Sequence, residues 1–241
     1  MAAKRDGKAT ADRRLLIPVV EADVSTVRSL IAAGADLNVC VPIANRAALW
    51  MPAGTGERTP LGVAISQRAN EGIWALSAGE DGDGRKRKDE ARRKRAALLE
   101  IMEELARAGA DVNLFSTSRL AKSPLFIAAY NNDVEAVELL LRYGARSQGT
   151  GALHAAAIEG HIEMVRALLA AGLDSNETMD GVTALQMLKE RASSPKSESE
   201  WVINMGPEYE EQEAKREKER VVRREQIVQI LEAHRMNNTG G

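Results

Sequence analysis

A catalytic or metal centre needs several reactive side chains brought to one point, and this chain of 241 residues supplies few of them. Its three histidines, His154, His161 and His234, form no pair with metal-ligand spacing. The single cysteine, Cys40, has no partner for a zinc site or an intrachain disulfide. There is no Gly-x-Ser-x-Gly elbow, phosphate-binding Lys-Ser/Thr loop or dinucleotide fingerprint. The stretch Gly79-Glu80-Asp81-Gly82-Asp83-Gly84 is glycine-rich but lacks the lysine of a phosphate loop, and reads as a flexible hinge. Paired carboxylates such as Glu103-Glu104 read as helix surface. No catalytic, cofactor-binding or metal-ligating residue is assigned, and no enzymatic activity is expected.

One cluster has strong charge. Arg85, Lys86, Arg87, Lys88, Arg92, Arg93, Lys94 and Arg95 make eight of eleven consecutive residues basic. The run carries a net +6, which leaves about −8 on the remainder of a chain whose net charge is −2. An acidic remainder repels a phosphate backbone, and no aromatic residue interleaves the run for base stacking. Nucleic acid is therefore not the expected partner. The run reads as a solvated helix face, or as a nuclear-import signal met by an acidic receptor groove.

The elements that carry these residues follow from composition and periodicity. Hydrophobic residues reach 44% but aromatics only 3%, a balance that favours helices over strands. No apolar run approaches the ~20 residues of a membrane span. Met1 to Arg14 lacks the apolar stretch of a secretory signal. The expectation is a soluble monomer, cytoplasmic and/or nuclear, in a reducing compartment.

A phrase recurs along the chain: Leu30-Ile31-Ala32-Ala33-Gly34, Leu105-Ala106-Arg107-Ala108-Gly109, Leu140-Leu141-Arg142-Tyr143-Gly144 and Leu168-Leu169-Ala170-Ala171-Gly172. Glycine there suits a helix C-terminus that must turn to positive φ. Asp36, Asp111 and Asp174, each followed two residues on by Asn, suit the turn beyond. A second phrase opens a short Ala-rich helix: Thr59-Pro60-Leu61, Ser123-Pro124-Leu125, Gly151-Ala152-Leu153-His154 and Thr183-Ala184-Leu185. Thr or Ser is a good N-cap, and Pro is tolerated at the first helical position. Each unit is thus helix, tight turn, helix, then a turn into a hairpin-like loop.

These phrases resemble the ankyrin repeat, with its period of about 33 residues and its Thr-Pro-Leu-His-x-Ala signature. The copy Ala152-Leu153-His154-Ala155-Ala156-Ala157 through Gly160-His161 is the clearest. The resemblance implies an all-α ankyrin-repeat solenoid of about five helix-turn-helix units with long charged helical insertions. Landmark leucines are Leu15, Leu61, Leu125, Leu153 and Leu185. A polar tail spans 1–10, a single repeat domain 11–236 and a second tail 237–241. The units are about 11–42, 55–115, 119–147, 148–178 and 180–236. His154 is expected to hydrogen-bond the adjoining turn. Pro18 demands that its helix begin near Leu15.

Three insertions interrupt the period, at about 39–58, 69–95 and 192–220. The first holds Trp50, a plug against its own units or an aromatic anchor for a partner. The second begins as a loop at Ala69–Gly84 and continues as one long protruding helix, with Asp89–Arg93 and Glu90–Lys94 as i,i+4 pairs. The third is a polar loop followed by a helix from Tyr209 to His234, whose acidic start suits the helix dipole.

The family resemblance implies a non-catalytic adaptor or scaffold that holds another protein on its concave face and loop tips. Carried onto this chain, the partner-binding residues are Ser66, Gln67, Tyr130, Asn131, Ile158, Glu159, Glu190 and Arg191 on inner helices. Phe115, Arg119, Arg146 and Met179 lie near the tips, and Trp50 is in the first insertion. The alternative is a nuclear or ribonucleoprotein-associated factor that uses the basic helix 85–95 for import or contact.

Overall fold

The computed structural model describes residues 14–39, 41–42, 57–77, 79, 82–114, 123–146, 148–193 and 207–238. Trp50, Phe115 and Arg119, with most of the first insertion and the polar loop of the third, lie outside the described residues. The chain divides into two compact units, Met1–Ala145 and Arg146–Gly241.

The first unit contains α1 (14–21), α2 (Val24–Ala32), the strand pair β1 (Val41–Pro42) and β2 (Glu57–Arg58), α3 (Pro60–Ser77), α4 (Gly82–Arg107), α5 (Pro124–Tyr130) and α6 (Val134–Arg142). The second contains α7 (Ala152–Glu159), α8 (Ile162–Ala170), β3 (Thr178–Met179) paired antiparallel with β4 (Val182–Thr183), α9 (Ala184–Ser193) and α10 (Pro207–Asn238). Within the first unit α3 packs on α5, and α4 packs on both α2 and α6. In the second, α7 packs on α9 and α8 on α10. All five landmark leucines are buried. Removing such side chains from water is what drives the layers together.

The recurring phrases fold alike. Gly34, Gly109, Gly144 and Gly172 all have positive φ, between +76° and +96°. One residue on, Ala35, Ala110, Ala145 and Leu173 donate N–H bonds five residues back, to Leu30, Leu105, Leu140 and Leu168 (2.9–3.1 Å). This closure satisfies carbonyls that a helix end leaves open. The aspartates then fold the next turn: Asp36, Asp111 and Asp174 accept from the N–H of Asn38, Asn113 and Asn176 at 3.1, 2.8 and 2.8 Å. In the first unit Asn38 also accepts from the Asp111 N–H at 2.7 Å, tying one turn to the next.

Helix starts follow the expected caps. The Ser123 hydroxyl accepts from the Phe126 N–H at 3.0 Å, and the Thr59 hydroxyl from the Gly62 N–H at 3.0 Å. Thr183 and Gln186 cap each other reciprocally, at 3.2 and 3.0 Å. His154 Nε2 lies 2.8 Å from the Val182 carbonyl of β4, so this histidine does join its helix to the adjoining hairpin. Pro18 lies in α1; the start of that helix, expected near Leu15, falls outside the described residues.

The second insertion differs from expectation. The polar excursion read from Ala69 is helical to Ser77, and α4 begins at Gly82, so Gly82 and Gly84 belong to the helix. Gly84, Ala91, Leu98 and Leu105 are buried at seven-residue spacing, the stripe along which two helices pack side by side. A second long helix supplies α3 with a packing partner, and the inner helix therefore continues where a loop was expected. The i,i+4 pair Glu90–Lys94 forms at 3.3 Å, whereas Asp89 closes on Arg92 at 3.4 Å instead of Arg93. The last helix is longer than predicted at both ends, about 48 Å at 1.5 Å per residue over its 32 residues.

Candidate functional site

In the first unit the inner helix α5 buries Leu125, Ile127, Ala128 and Ala129. Tyr130, on the same helix, remains 44% exposed. Its ring stacks on Phe126, one turn earlier, with centroids 6.3 Å apart and planes 8° from parallel. Phe126 escaped the sequence reading. Two aromatics at i,i+4 in a chain so poor in them were the available signal. Asn131 is half-buried and donates its side-chain N–H to the Ile127 carbonyl at 2.8 Å, so it ends the helix.

Ser66 and Gln67, expected on the exposed side of α3, are buried. Ser66 turns its hydroxyl onto the Gly62 carbonyl at 2.8 Å. Because α3 runs on beside α4, positions that would have closed a short helix fall within the two-helix packing.

Beside them lies an ion network spanning three helices. Arg68 is 1% exposed. Its guanidinium contacts both oxygens of Asp133, at 2.6 and 3.0 Å, and also Glu135 and the Arg95 carbonyl. Arg95 returns a bond from Nη1 to the Arg68 carbonyl at 2.9 Å. Asp133 simultaneously caps α6 through the Ala136 N–H at 3.3 Å. Gly72 gives Arg95 its passage, because a Cβ there would stand 2.6 Å from Nη1. Arg95 therefore belongs to a structural bond set and not to an open basic face. Lys88 and Lys94 are half-buried, while Arg85, Lys86, Arg87, Arg92 and Arg93 are exposed.

In the second unit α10 crosses the end of α7. Arg224, 7% exposed, donates from Nε to the Ile158 carbonyl at 2.6 Å and pairs with Glu217 at 2.7 Å. Arg220 pairs with Glu217 at 3.0 Å and reaches Glu159 at 3.9 Å. Ile158 and Glu159 are thus half-buried under α10, and only Glu190 of the predicted inner-helix residues is exposed in this unit. Arg191 is half-buried. Burial first, and then the nearby Arg224 guanidinium, draw it below the ordinary arginine value. At the tips Arg146 is exposed, and Met179 is half-buried in the β3–β4 pair. A shallow groove of about 460 Å³ lies between α8 and α10, lined by Leu169, Ala170, Ile230 and Ala233 among others.

Residues 91–179 match the family model for ankyrin repeats, in 3 copies. This stretch of the chain is made of ankyrin repeats. A curated relative, the nuclear factor NF-kappa-B p105 subunit of Gallus gallus, is 33% identical over 106 residues, which are 40% of this chain. The match covers 11% of that relative's length, so it speaks for the repeats alone. Ankyrin repeats are generally protein-interaction modules. Among the described residues no group of His, Cys, Asp and Glu is placed to hold a metal ion, and no helix is long and apolar enough to cross a membrane.

Proposed function

We infer that this ankyrin-repeat chain is a non-catalytic adaptor that holds a partner protein against the exposed side of its inner helices. One observation carries the reading: α5 leaves Tyr130 exposed, stacked on a half-buried Phe126, while the small apolar residues beside it are buried. Water contact at such a ring is a standing cost, and aromatic anchors supply much of the binding energy at protein interfaces. The anchors sit on a rigid helix held at both ends, by Ser123 and by Asn131, so little ordering is needed on binding. The single cysteine supports work in the cytoplasm or nucleus.

The test is recovery of partners from a native lysate with the wild-type chain and with Tyr130→Ala. The specific set captured by the wild type should fall away with the variant, at unchanged thermal stability. An identical set from both chains would remove this face from the reading.

A further inference from the structure

Positions 85, 86, 92 and 93 lie on one side of α4, because a helix returns to the same face after seven or eight residues. Arg85, Lys86, Arg92 and Arg93 are all exposed there, and Asp89 lies between them. The patch is about 12 Å long, at 1.5 Å per residue. Four cations, with Asp89 between them and Asp83 paired to Lys86 at the edge, leave it a net +2. The opposite side of the helix is fixed by the buried stripe of Gly84, Ala91, Leu98 and Leu105, which settles the rotation of α4 about its own axis. Its root is held by Arg95 and Arg68. Any reader of the basic run therefore meets a preset helix face and not an extended peptide.

We propose that this face of α4 docks a short acidic segment of a partner protein. The proposal rests on the adaptor reading and names the chemistry of what is held. Two observations favour a protein segment over nucleic acid. Residues 82–95 contain no aromatic side chain on which a base could stack. The chain outside the run is acidic, so a long rigid phosphate backbone would be repelled beyond the patch, whereas a short segment touches the patch alone. The local ion pairs, Arg92–Asp89 at 3.4 Å and Lys86–Asp83 at 3.7 Å, are exposed. Surface pairs of this kind are weak and exchange readily for a partner's carboxylates.

Fluorescence anisotropy of a labelled oligoglutamate peptide, titrated with the full chain at low and physiological salt, tests the proposal. An RNA strand of equal charge is the second probe. The triple variant Arg85→Gln, Arg92→Gln, Arg93→Gln removes three exposed charges from the face. Arg142→Gln, Arg166→Gln, Arg235→Gln removes three exposed charges elsewhere. The expected result is a loss of peptide affinity of roughly tenfold or more in the first triple and about twofold or less in the second. Circular dichroism should match the wild type in both. Equal losses in the two triples, no peptide binding at low salt, or tighter binding of the RNA would each overturn the proposal. Tyr130→Ala should keep its peptide affinity, which separates failure of this face from failure of the inner-helix surface.

Discussion

Alanine at Gly160 and at Gly172 should have unequal effects, and the difference measures how α10 is seated. Both glycines turn a helix end at positive φ, +76° and +87°. An L-residue in that region pays about 1–2 kcal/mol, partly offset by the ~0.4–1 kcal/mol that alanine removes from unfolded-chain freedom. The net cost at Gly172, which has open space around it, is therefore about 0.5–1 kcal/mol. At Gly160 an added Cβ meets the Arg223 Cβ at 3.3 Å and the Arg220 carbonyl oxygen at 3.6 Å. The helix carrying those atoms has little room to retreat, because Arg224 is bonded to the Ile158 carbonyl two residues before the glycine. Overpacking of this kind adds about 1–2 kcal/mol. Urea denaturation followed by circular dichroism reads the two variants against the wild type. Arg223→Gly removes the obstructing carbon, and Arg223→Ala does not. Only the former should restore part of the Gly160→Ala loss, as a coupling of about 0.5–1 kcal/mol. Equal costs at Gly160 and Gly172, or equal behaviour of the two Arg223 variants, would refute the seating of α10 on this turn.

Asp133→Ala leaves the Arg68 charge buried with its main partner gone, and should destabilise the first unit by about 3–5 kcal/mol in the same denaturation assay. Gly72→Ala should change stability by only about 1 kcal/mol or less, because the gain of alanine over glycine inside a helix offsets the displacement of the Arg95 guanidinium from the Arg68 carbonyl. Asp23, which caps α2, has its pKa lowered to about 2, chiefly by the Thr26 and then the Ser25 hydroxyl bonds. A depressed carboxylate stabilises the fold above its unfolded value of 3.8 and loses that contribution as pH falls toward 2. An NMR titration of the Asp23 carboxyl should therefore show a midpoint near 2, and Thr26→Val should move it upward.

The repeat was legible because its signals are local. Glycine at a helix end, an Asx turn two residues beyond and a Thr or Ser cap each act within five residues, and all of them act as the sequence predicts. The surface was less legible. Whether Ile158 or Ser66 faces water depends on which distant segment lies over it, and for Ile158 that segment begins about fifty residues later in α10. Phe126 was missed because a buried and a half-exposed aromatic look the same in sequence. Arg95 was grouped with its charged neighbours, although its direction on the helix, beside Ala91 and Leu98, turns it toward α3.

The length of α3 is itself written in the repeat. Seven residues after the landmark leucine, Ala22, Asn132 and Gly160 adopt positive φ and reverse the chain. Alanine at one of these positions shows that glycine is not required for the turn. The next residue is Asp23, Asp133 or His161, and each aspartate accepts an N–H bond that starts the outer helix. In the unit of Leu61 the two positions are Arg68 and Ala69. Alanine has no oxygen to cap a helix, and Arg68 finds Asp133 only while its own helix remains straight. With the cap lost and the ion network gained, continuing as helix costs less than turning, and the hairpin of α3 and α4 with its basic face is the consequence.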